Sequence, residues 1–179
     1  TLDNIKNYTF TDTRSNTGRK FQAPDHKESN MKIAVAADHN GYDLKNLIFN
    51  LMNDAGHEVT DVGPHEVDPL DDYPDYAKPL AEGVSTGKYD RGIMVCGSGV
   101  GASVAANKVK GVRAAVCHDI YSAHQGVEHD DMNVLCLGSR IVGLEVAKEL
   151  VKAFLDAEYT HEERHQRRLE NVISMENQA

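Results

Sequence analysis

The chain has 179 residues, 40% of them hydrophobic, and its 19 basic and 28 acidic side chains give a net charge of −9, which is ordinary for one globular domain. This acidic balance, without a stripe of Lys or Arg, excludes typical nucleic-acid binding, and no apolar run reaches the about 18 residues that span a membrane. The N-terminus has no apolar signal-peptide core, and an odd number of cysteines, three, predicts reduced thiols in a cytoplasmic protein.

The first 30 residues differ in composition from the rest of the chain. They contain six apolar side chains, four acids and five bases, so their net charge is +1 and residues 31–179 carry −10. We predict an N-terminal extension over residues 1–30, either flexible or packed on a partner subunit through Tyr8, Phe10 and Phe21. The folded domain is predicted to span residues 31–179, whose apolar content is sufficient for one core.

From Met31 onward, short apolar runs alternate with segments of helical period. The five predicted strands are Ile33–Ala37, His57–Val62, Gly92–Cys96, Arg113–Cys117 and Val134–Leu137. Apolar stripes predict helices at 44–52 and 142–154, a charged segment follows at 162–176, and the acidic, proline-containing stretch 63–72 predicts an exposed loop that borders a site. This alternation is typical of a doubly wound parallel α/β sheet.

Polar or glycine-rich residues follow nearly every predicted strand, and ligands of such sheets bind beyond the carboxyl ends of the strands. The first strand is followed by Asp38 and His39, the fourth by His118 and Asp119, and the fifth by Arg140. Asp38 and His39 are therefore candidate binding residues. The alternative is that Asp38 only caps a helix and that His39 is an ordinary loop residue.

The segment Cys96-Gly-Ser-Gly-Val-Gly101 is the most informative one in the chain. Three alternate glycines between an apolar strand and a helix let backbone N–H groups converge on an anion. A weak alternative is a dinucleotide-binding loop with Asp119 as its acidic partner. No Gly-Lys-Ser/Thr follows, which excludes a Walker A loop, and Ala102 stands where a Cys-x5-Arg phosphatase needs arginine.

Cys96 and His129 are the candidate catalytic side chains. A thiol beside a helix N-terminus has its thiolate favoured, so Cys96 suits a nucleophile or a general base. The alternative is a buried inert thiol, which is what we predict for Cys117 and Cys136. His129 lies in a polar stretch before the fifth strand, where the alternative is a solvated loop histidine.

The charged C-terminal segment contains His161-Glu-Glu-Arg-His165, which has the H-E-x-x-H spacing of zinc proteases. Its polar flanks offer no apolar backing and no evident third ligand, so we expect no metal there. Arg164 and Arg168, four residues apart, would instead form a fork for a phosphate, and the alternative is a solvated helix end.

Seven short segments together resemble the ribose-5-phosphate isomerase B family, over about residues 31–175. They are ADHNG at 37–41, DYPDYA at 72–77, CGSGVG at 96–101, AANK at 105–108, NVL at 133–135, GSR at 138–140 and RHQ at 164–166. The resemblance implies a flavodoxin-like five-stranded parallel sheet in a three-layer α/β/α sandwich. It also implies a homodimer, or a tetramer, whose shared active sites interconvert aldose and ketose sugar phosphates without metal or cofactor.

The resemblance also implies roles for individual residues. Cys96 would be the base that removes the proton α to the carbonyl, and His129 would catalyse ring opening. Ser98 is the third catalytic candidate, through its hydroxyl, and the loop N–H groups would hold the enediolate oxygen. The remaining candidates would bind substrate: Asp38, His39, Gly97, Gly99, Val100, Gly101, Asp130, Arg140, Arg164 and Arg168.

Two positions depart from the pattern of many relatives. Ser98 replaces Thr and keeps the hydroxyl, whereas Asp130 replaces Asn and, when ionised, can only accept hydrogen bonds. Asp130 leaves the substrate open among ribose 5-phosphate, the favoured one, allose 6-phosphate and galactose 6-phosphate. The competing hypothesis of another class is a nucleotide-binding regulatory module that uses the same glycine-rich loop.

Overall fold

The computed structural model describes residues 30–176, so nearly all of the predicted extension lies outside the described residues. Within these residues, five strands alternate with five helices, and a sixth helix follows the fifth. Their bounds are β1 Lys32–Ala37, α1 Tyr42–Asp54, β2 Glu58–Gly63, α2 Tyr73–Ser85, β3 Arg91–Cys96, α3 Val100–Ala106, β4 Ala114–Val116, α4 Ile120–Asp130, β5 Val134–Gly138, α5 Leu144–Asp156 and α6 Glu163–Glu176. All five predicted strands are present. Within residues 30–176 no helix has the length and apolar character needed to cross a membrane.

The strands form one parallel sheet in the order β2-β1-β3-β5-β4. Helices cover both faces. One apolar core packs α1, α4 and α5 against the sheet, and the other packs α2 and α3 against its opposite face. The predicted three-layer, flavodoxin-like fold is confirmed, with strands buried on both sides as parallel sheets require. Strand β4 is shorter than predicted because its parallel pairing with β5 covers only Ala114, Ala115 and Val116.

Glycine at position 41 allows α1 to start directly against the sheet. A Cβ atom on Gly41 would lie 2.3 Å from the Val95 carbonyl oxygen of β3, which no side chain tolerates. Below α1, the fully buried Lys45 ammonium donates to both carboxylate oxygens of Asp61 and, at 2.6 Å, to the Pro64 carbonyl. These contacts fix the start of the 64–72 loop next to the carboxyl end of β1.

Candidate active site

Strands β1 and β3 are neighbours in the sheet, and the strand order reverses direction between them. In sheets of this kind, ligands bind in a crevice at the carboxyl ends of two such strands. The segment after β1 meets the glycine-rich loop after β3 there: the Asp38 N–H donates to the Val95 carbonyl at 3.2 Å. The segment after β5 joins them, since the N–H of Ser139 donates to the Cys96 carbonyl at 2.8 Å and that of Arg140 to the Gly97 carbonyl at 3.1 Å.

Cys96 is the last residue of β3 and is only 4% exposed. Its Sγ accepts a hydrogen bond from the backbone N–H of Gly99 at 3.0 Å. Gly99 adopts φ of +81°, a left-handed conformation that turns this N–H back toward the sulfur. Ser98 is exposed at the tip of the loop, where its Oγ accepts from the Val100 N–H at 3.3 Å. The loop therefore directs the backbone N–H of Gly99 at the sulfur.

The other two cysteines have the structural character predicted for them. Both are buried, and neither is followed by a glycine-rich loop like the one after Cys96. Burial raises the pKa of Cys117 to about 11, with a smaller contribution from Asp119. Burial also raises the pKa of Cys136, far above the ordinary range of a thiol. Both side chains consequently stay protonated and serve as packing groups.

Asp38 is buried, and its Oδ1 accepts from the N–H groups of Asn40 at 2.9 Å and Gly41 at 3.0 Å. Gly41 itself is the N-cap of α1, so the simple capping interpretation of Asp38 places the cap three residues too early. The carboxylate instead shapes the turn that leads into the helix. His39 is the neighbour that faces the loop 64–72, and its ring contacts Asp71 and Asn40.

Asp71 and Asn40 are polar residues of this site that the strand-end pattern did not single out. Asp71 lies in the acidic stretch predicted to border a site, but nothing in the spacing of its four acids distinguishes Asp71 from the others. Asn40 accepts a hydrogen bond from Arg140 at 2.5 Å through its side-chain oxygen. Its backbone carbonyl also accepts from the Ser139 hydroxyl at 2.7 Å, which ties the β1 and β5 segments together.

His129 does not lie near Cys96 within one chain. It belongs to the last turn of α4, directly before β5, which begins with Val134 at the amino end of the sheet. Cys96 pairs in register with Gly138 at the other end of β5. Four residues of strand at about 3.3 Å each separate these ends by about 13 Å. One chain therefore carries two separate groups of candidate residues.

The second group is assembled by α4 and α6. The rings of His129 and the buried His165 stack with centroids 3.9 Å apart, and the Gln125 amide nitrogen lies 2.7 Å from His129 Nδ1. Burial lowers the pKa of His165, and His129 and Arg164 lower it further because a positive ring would be repelled. Arg168 and Asp130 line one groove of about 590 Å³ beside this stack.

The structure of the C-terminal segment corrects one expectation. This segment was expected to have no apolar backing, but His165 and Leu169 are buried and pack α6 onto the domain. His161 lies before α6 with φ of +53°, so His161 and His165 do not share a helix face. Arg164 and Arg168 do lie on α6, where Arg164 Nε donates to Glu162 at 2.8 Å.

Asp119 has a different role from the one that a dinucleotide-binding loop would require. Its carboxylate accepts from the Ser122 N–H and hydroxyl, both at 2.8 Å, and so caps α4. These hydrogen bonds lower the pKa of Asp119. Because the acidic partner is engaged in capping, the geometry gives the nucleotide hypothesis no support beyond the loop itself.

A parallel α/β sheet that ends in a buried thiol, a glycine-rich turn and converging polar side chains defines a flavodoxin-like protein with a candidate ligand site at the switch point of its sheet. The sequence profile of the Ribose/Galactose Isomerase family matches residues 33–172. The chain belongs to this family and is an aldose–ketose isomerase.

Individual relatives agree with this assignment. Ribose-5-phosphate isomerase B of Escherichia coli is 47% identical over 145 residues, which cover 81% of this chain and 96% of the relative. D-erythrulose-4-phosphate isomerase of Pectobacterium atrosepticum is 41% identical, over 76% of this chain and 99% of the relative. The structure of ribose-5-phosphate isomerase B from Mycoplasma genitalium with bound ribulose-5-phosphate superposes with a TM-score of 0.79 at 41% identity, over 83% and 97% of the two chains.

Proposed function

We propose that this chain interconverts ribose 5-phosphate and ribulose 5-phosphate, with Cys96 as the base that moves the proton. The observation that carries the proposal is the 3.0 Å hydrogen bond from the Gly99 N–H to Cys96 Sγ. This bond favours a thiolate, because a negative sulfur accepts a hydrogen bond more strongly than a neutral one does. The domain responsible is 31–179, a span supported by the family match over 33–172.

The reaction then follows from the position of the thiolate. Cys96 takes the proton from C2 of the open-chain aldose, the electron pair forms a C1–C2 double bond, and the carbonyl oxygen on C1 becomes negative. The N–H groups of Gly97, Ser98 and Gly101 stabilise this oxygen as an enediolate. The proton returns to C1, and the hydroxyl proton on O2 leaves as O1 takes one up, which yields the ketose. His39, Asp38 and Arg140 hold the sugar in place beside the sulfur.

The second group of residues acts, in this proposal, in the active site of a second copy of the chain. His129 would open the sugar ring there, and Asp130, Arg164 and Arg168 would bind the hydroxyls and the phosphate. Two observations support a homodimer. The two groups lie at opposite ends of β5. In addition, exposed apolar side chains flank the Cys96 end of the sheet: Val100, Val104, Ile120, Tyr121 and Ile141.

The substrate follows from the relatives and from the charge of the site. Relatives are named for ribose 5-phosphate and for erythrulose 4-phosphate, and the family name includes galactose. All of these substrates are anionic, so a domain that carries −10 needs local positive charge, which Arg140, Arg164 and Arg168 supply. The three free, buried cysteines fit the proposed cytoplasmic location of such an enzyme.

The chemical proposal is tested by a substrate panel assayed with a metal chelator present. Ribose 5-phosphate should turn over with the highest kcat/KM among ribose 5-phosphate, erythrulose 4-phosphate, allose 6-phosphate and galactose 6-phosphate. Cys96→Ala should abolish turnover in a folded protein, whereas Cys117→Ala, the matched control at a buried thiol, should retain it. Retained activity in Cys96→Ala would exclude Cys96 as the base, and a different best sugar would replace ribose 5-phosphate as substrate.

The shared site is tested by mixing two inactive variants. Cys96→Ala and His129→Ala should each be inactive alone. If the site combines both copies, random exchange of subunits restores one intact site in half of the dimers, so about a quarter of wild-type activity returns. No recovery after subunit exchange would place both residues in the same chain's site and contradict the proposal.

A further inference from the structure

We infer that Asp71, on the loop that follows β2, is a positioning residue that fixes the ring of His39 in one orientation and one tautomer. Four side chains form a continuous polar chain across the mouth of the site: Asp71, His39, Asn40 and Arg140. No motif that indicates the reaction includes Asp71. The role of Asp71 follows from which atoms of these four side chains can donate a hydrogen bond and which can only accept one.

Arg140 determines how the Asn40 amide is oriented. A guanidinium has donors and no acceptor, so the Asn40 atom 2.5 Å from Arg140 Nη2 has to be the oxygen, Oδ1. The amide nitrogen of Asn40 therefore faces the other way, where it lies 2.7 Å from His39 Nε2. The usual ambiguity between the two ends of an asparagine amide is removed by the arginine.

The orientation of Asn40 in turn determines where His39 carries its proton. Because Asn40 donates, Nε2 must offer a lone pair, and the proton of the neutral ring lies on Nδ1. Nδ1 lies 2.6 Å from Asp71 Oδ1, which also accepts the backbone N–H of His39 at 3.1 Å. Asp71 at one end of this row of side chains and Arg140 at the other thus require the same tautomer of His39, with Nδ1 bonded to Asp71 and Nε2 directed toward the site.

The burial of Asp71 makes it a rigid partner. Its side chain is 5% exposed, against 30% for His39, and its Oδ1 contacts both the backbone N–H and the ring Nδ1 of His39. Burial and the neighbouring Asp71 carboxylate raise the pKa of Tyr76, whose hydroxyl contacts Asp71, so the carboxylate is held by more than one element. Asn40 and Arg140, at the other end of this row of side chains, lie over the glycine-rich loop. A Cβ atom on Gly97 would be 3.7 Å from Asn40 Cβ and from Arg140 Nε. Orientation imposed by Asp71 is thus transmitted to the region next to Cys96.

The consequence for binding is that only Nε2 of His39 is available to a ligand. A substrate group that contacts His39 replaces the Asn40 amide at Nε2, while Nδ1 stays with Asp71. The expected effect on turnover rests on the proposed isomerase function, whereas the tautomer of His39 in the substrate-free protein does not.

The test is nitrogen NMR of the histidine rings in the substrate-free protein, with His39→Gln used to assign the signal. In the wild type we expect a protonated Nδ1, an unprotonated Nε2 and a downfield Hδ1 proton that exchanges slowly, because the acceptor is charged and close. Asp71→Asn should move this proton signal upfield and speed its exchange. Asp68→Asn removes a charge from an exposed residue of the same loop whose Oδ1 contacts the Leu70 N–H, and it should leave the signal unchanged.

Kinetics provide the second readout. Asp71→Asn should lower kcat/KM by about 10- to 100-fold, as the loss of a charge-assisted hydrogen bond does, while Asp68→Asn should stay within about twofold of wild type. A wild-type ring protonated on Nε2, or an Hδ1 signal that Asp71→Asn does not move, would overturn the inference. If no sugar phosphate turns over but the predicted ring signals are seen, the proposed function fails and the role of Asp71 stands.

Discussion

Gly99→Ala is the substitution that most directly tests the loop geometry around Cys96. Gly99 has φ of +81°, and an added Cβ would lie 3.1 Å from the Leu137 carbonyl carbon and 3.2 Å from Val116 Cγ1. The left-handed conformation costs about 1–2 kcal/mol for an alanine, and the two tight contacts add about 1 kcal/mol, so we expect a loss of about 2–3 kcal/mol in the free energy of unfolding. Relief of this strain would displace the N–H that bonds Cys96.

Gly87→Ala is the matched control for this experiment. Gly87 has φ of +72°, but a Cβ added there meets no atom within 4 Å, and the residue lies in the turn after α2, away from the site. We expect this variant to lose about 1–2 kcal/mol in urea denaturation and to keep its kcat/KM. Gly99→Ala should lose about 10- to 100-fold in kcat/KM as well, since its hydrogen bond to Cys96, the proposed base, is weakened. Normal kcat/KM in Gly99→Ala, with the expected loss of stability, would refute the reasoning.

Two further predictions concern stability. Lys45→Ala should lower the free energy of unfolding, measured in urea, by about 2–4 kcal/mol because it removes the lysine partner of the part-buried Asp61 carboxylate. The control Lys148→Ala, at an exposed ion pair, should cost less than about 1 kcal/mol. Equal losses in the two variants would contradict the stabilising role of Lys45. His165 has a pKa lowered by burial below the about 6.5 of an unfolded chain, so its neutral ring stabilises the fold fully above that pH and this stability is lost as the pH falls. The free energy of unfolding, measured in urea at about pH 7.5 and 5.5, should therefore fall more between these pH values for wild type than for His165→Gln, and equal differences would exclude His165 as the titrating group.

Periodicity and strand-end chemistry were sufficient to predict the sheet and one half of the site. Strands buried on both faces appear in the sequence as short apolar runs, and parallel strands place their carboxyl ends at one edge. The segment at 38–41 and the loop at 96–101 therefore had to meet if β1 and β3 were neighbours, which the structure confirms. The fourth strand was predicted one residue too long at each end, since its pairing with β5 covers only 114–116.

Contacts between distant segments could not be predicted in this way. Lys45 occupies a helix position that its charge assigns to the surface, yet it is fully buried because Asp61 and the Pro64 carbonyl accept its protons. Asp71 is one of several acids in its loop, and only the folded loop selects it as the partner of His39. Such pairings depend on the relative placement of loops, about which a local pattern carries no information.

The sequence by itself determined the family, the order of strands and helices, and the candidate loop at the end of β3, because each of these is read from motifs or patterns of residues close together in the chain. Only the tertiary structure decided that His129 lies about one strand length from Cys96, since that distance depends on the direction in which α4 returns across the sheet. It also revealed the chain from Asp71 through His39 and Asn40 to Arg140, in which donors and acceptors from three segments meet. Hydrogen bonds between segments 30 to 100 residues apart exist only after packing has fixed the geometry of every partner.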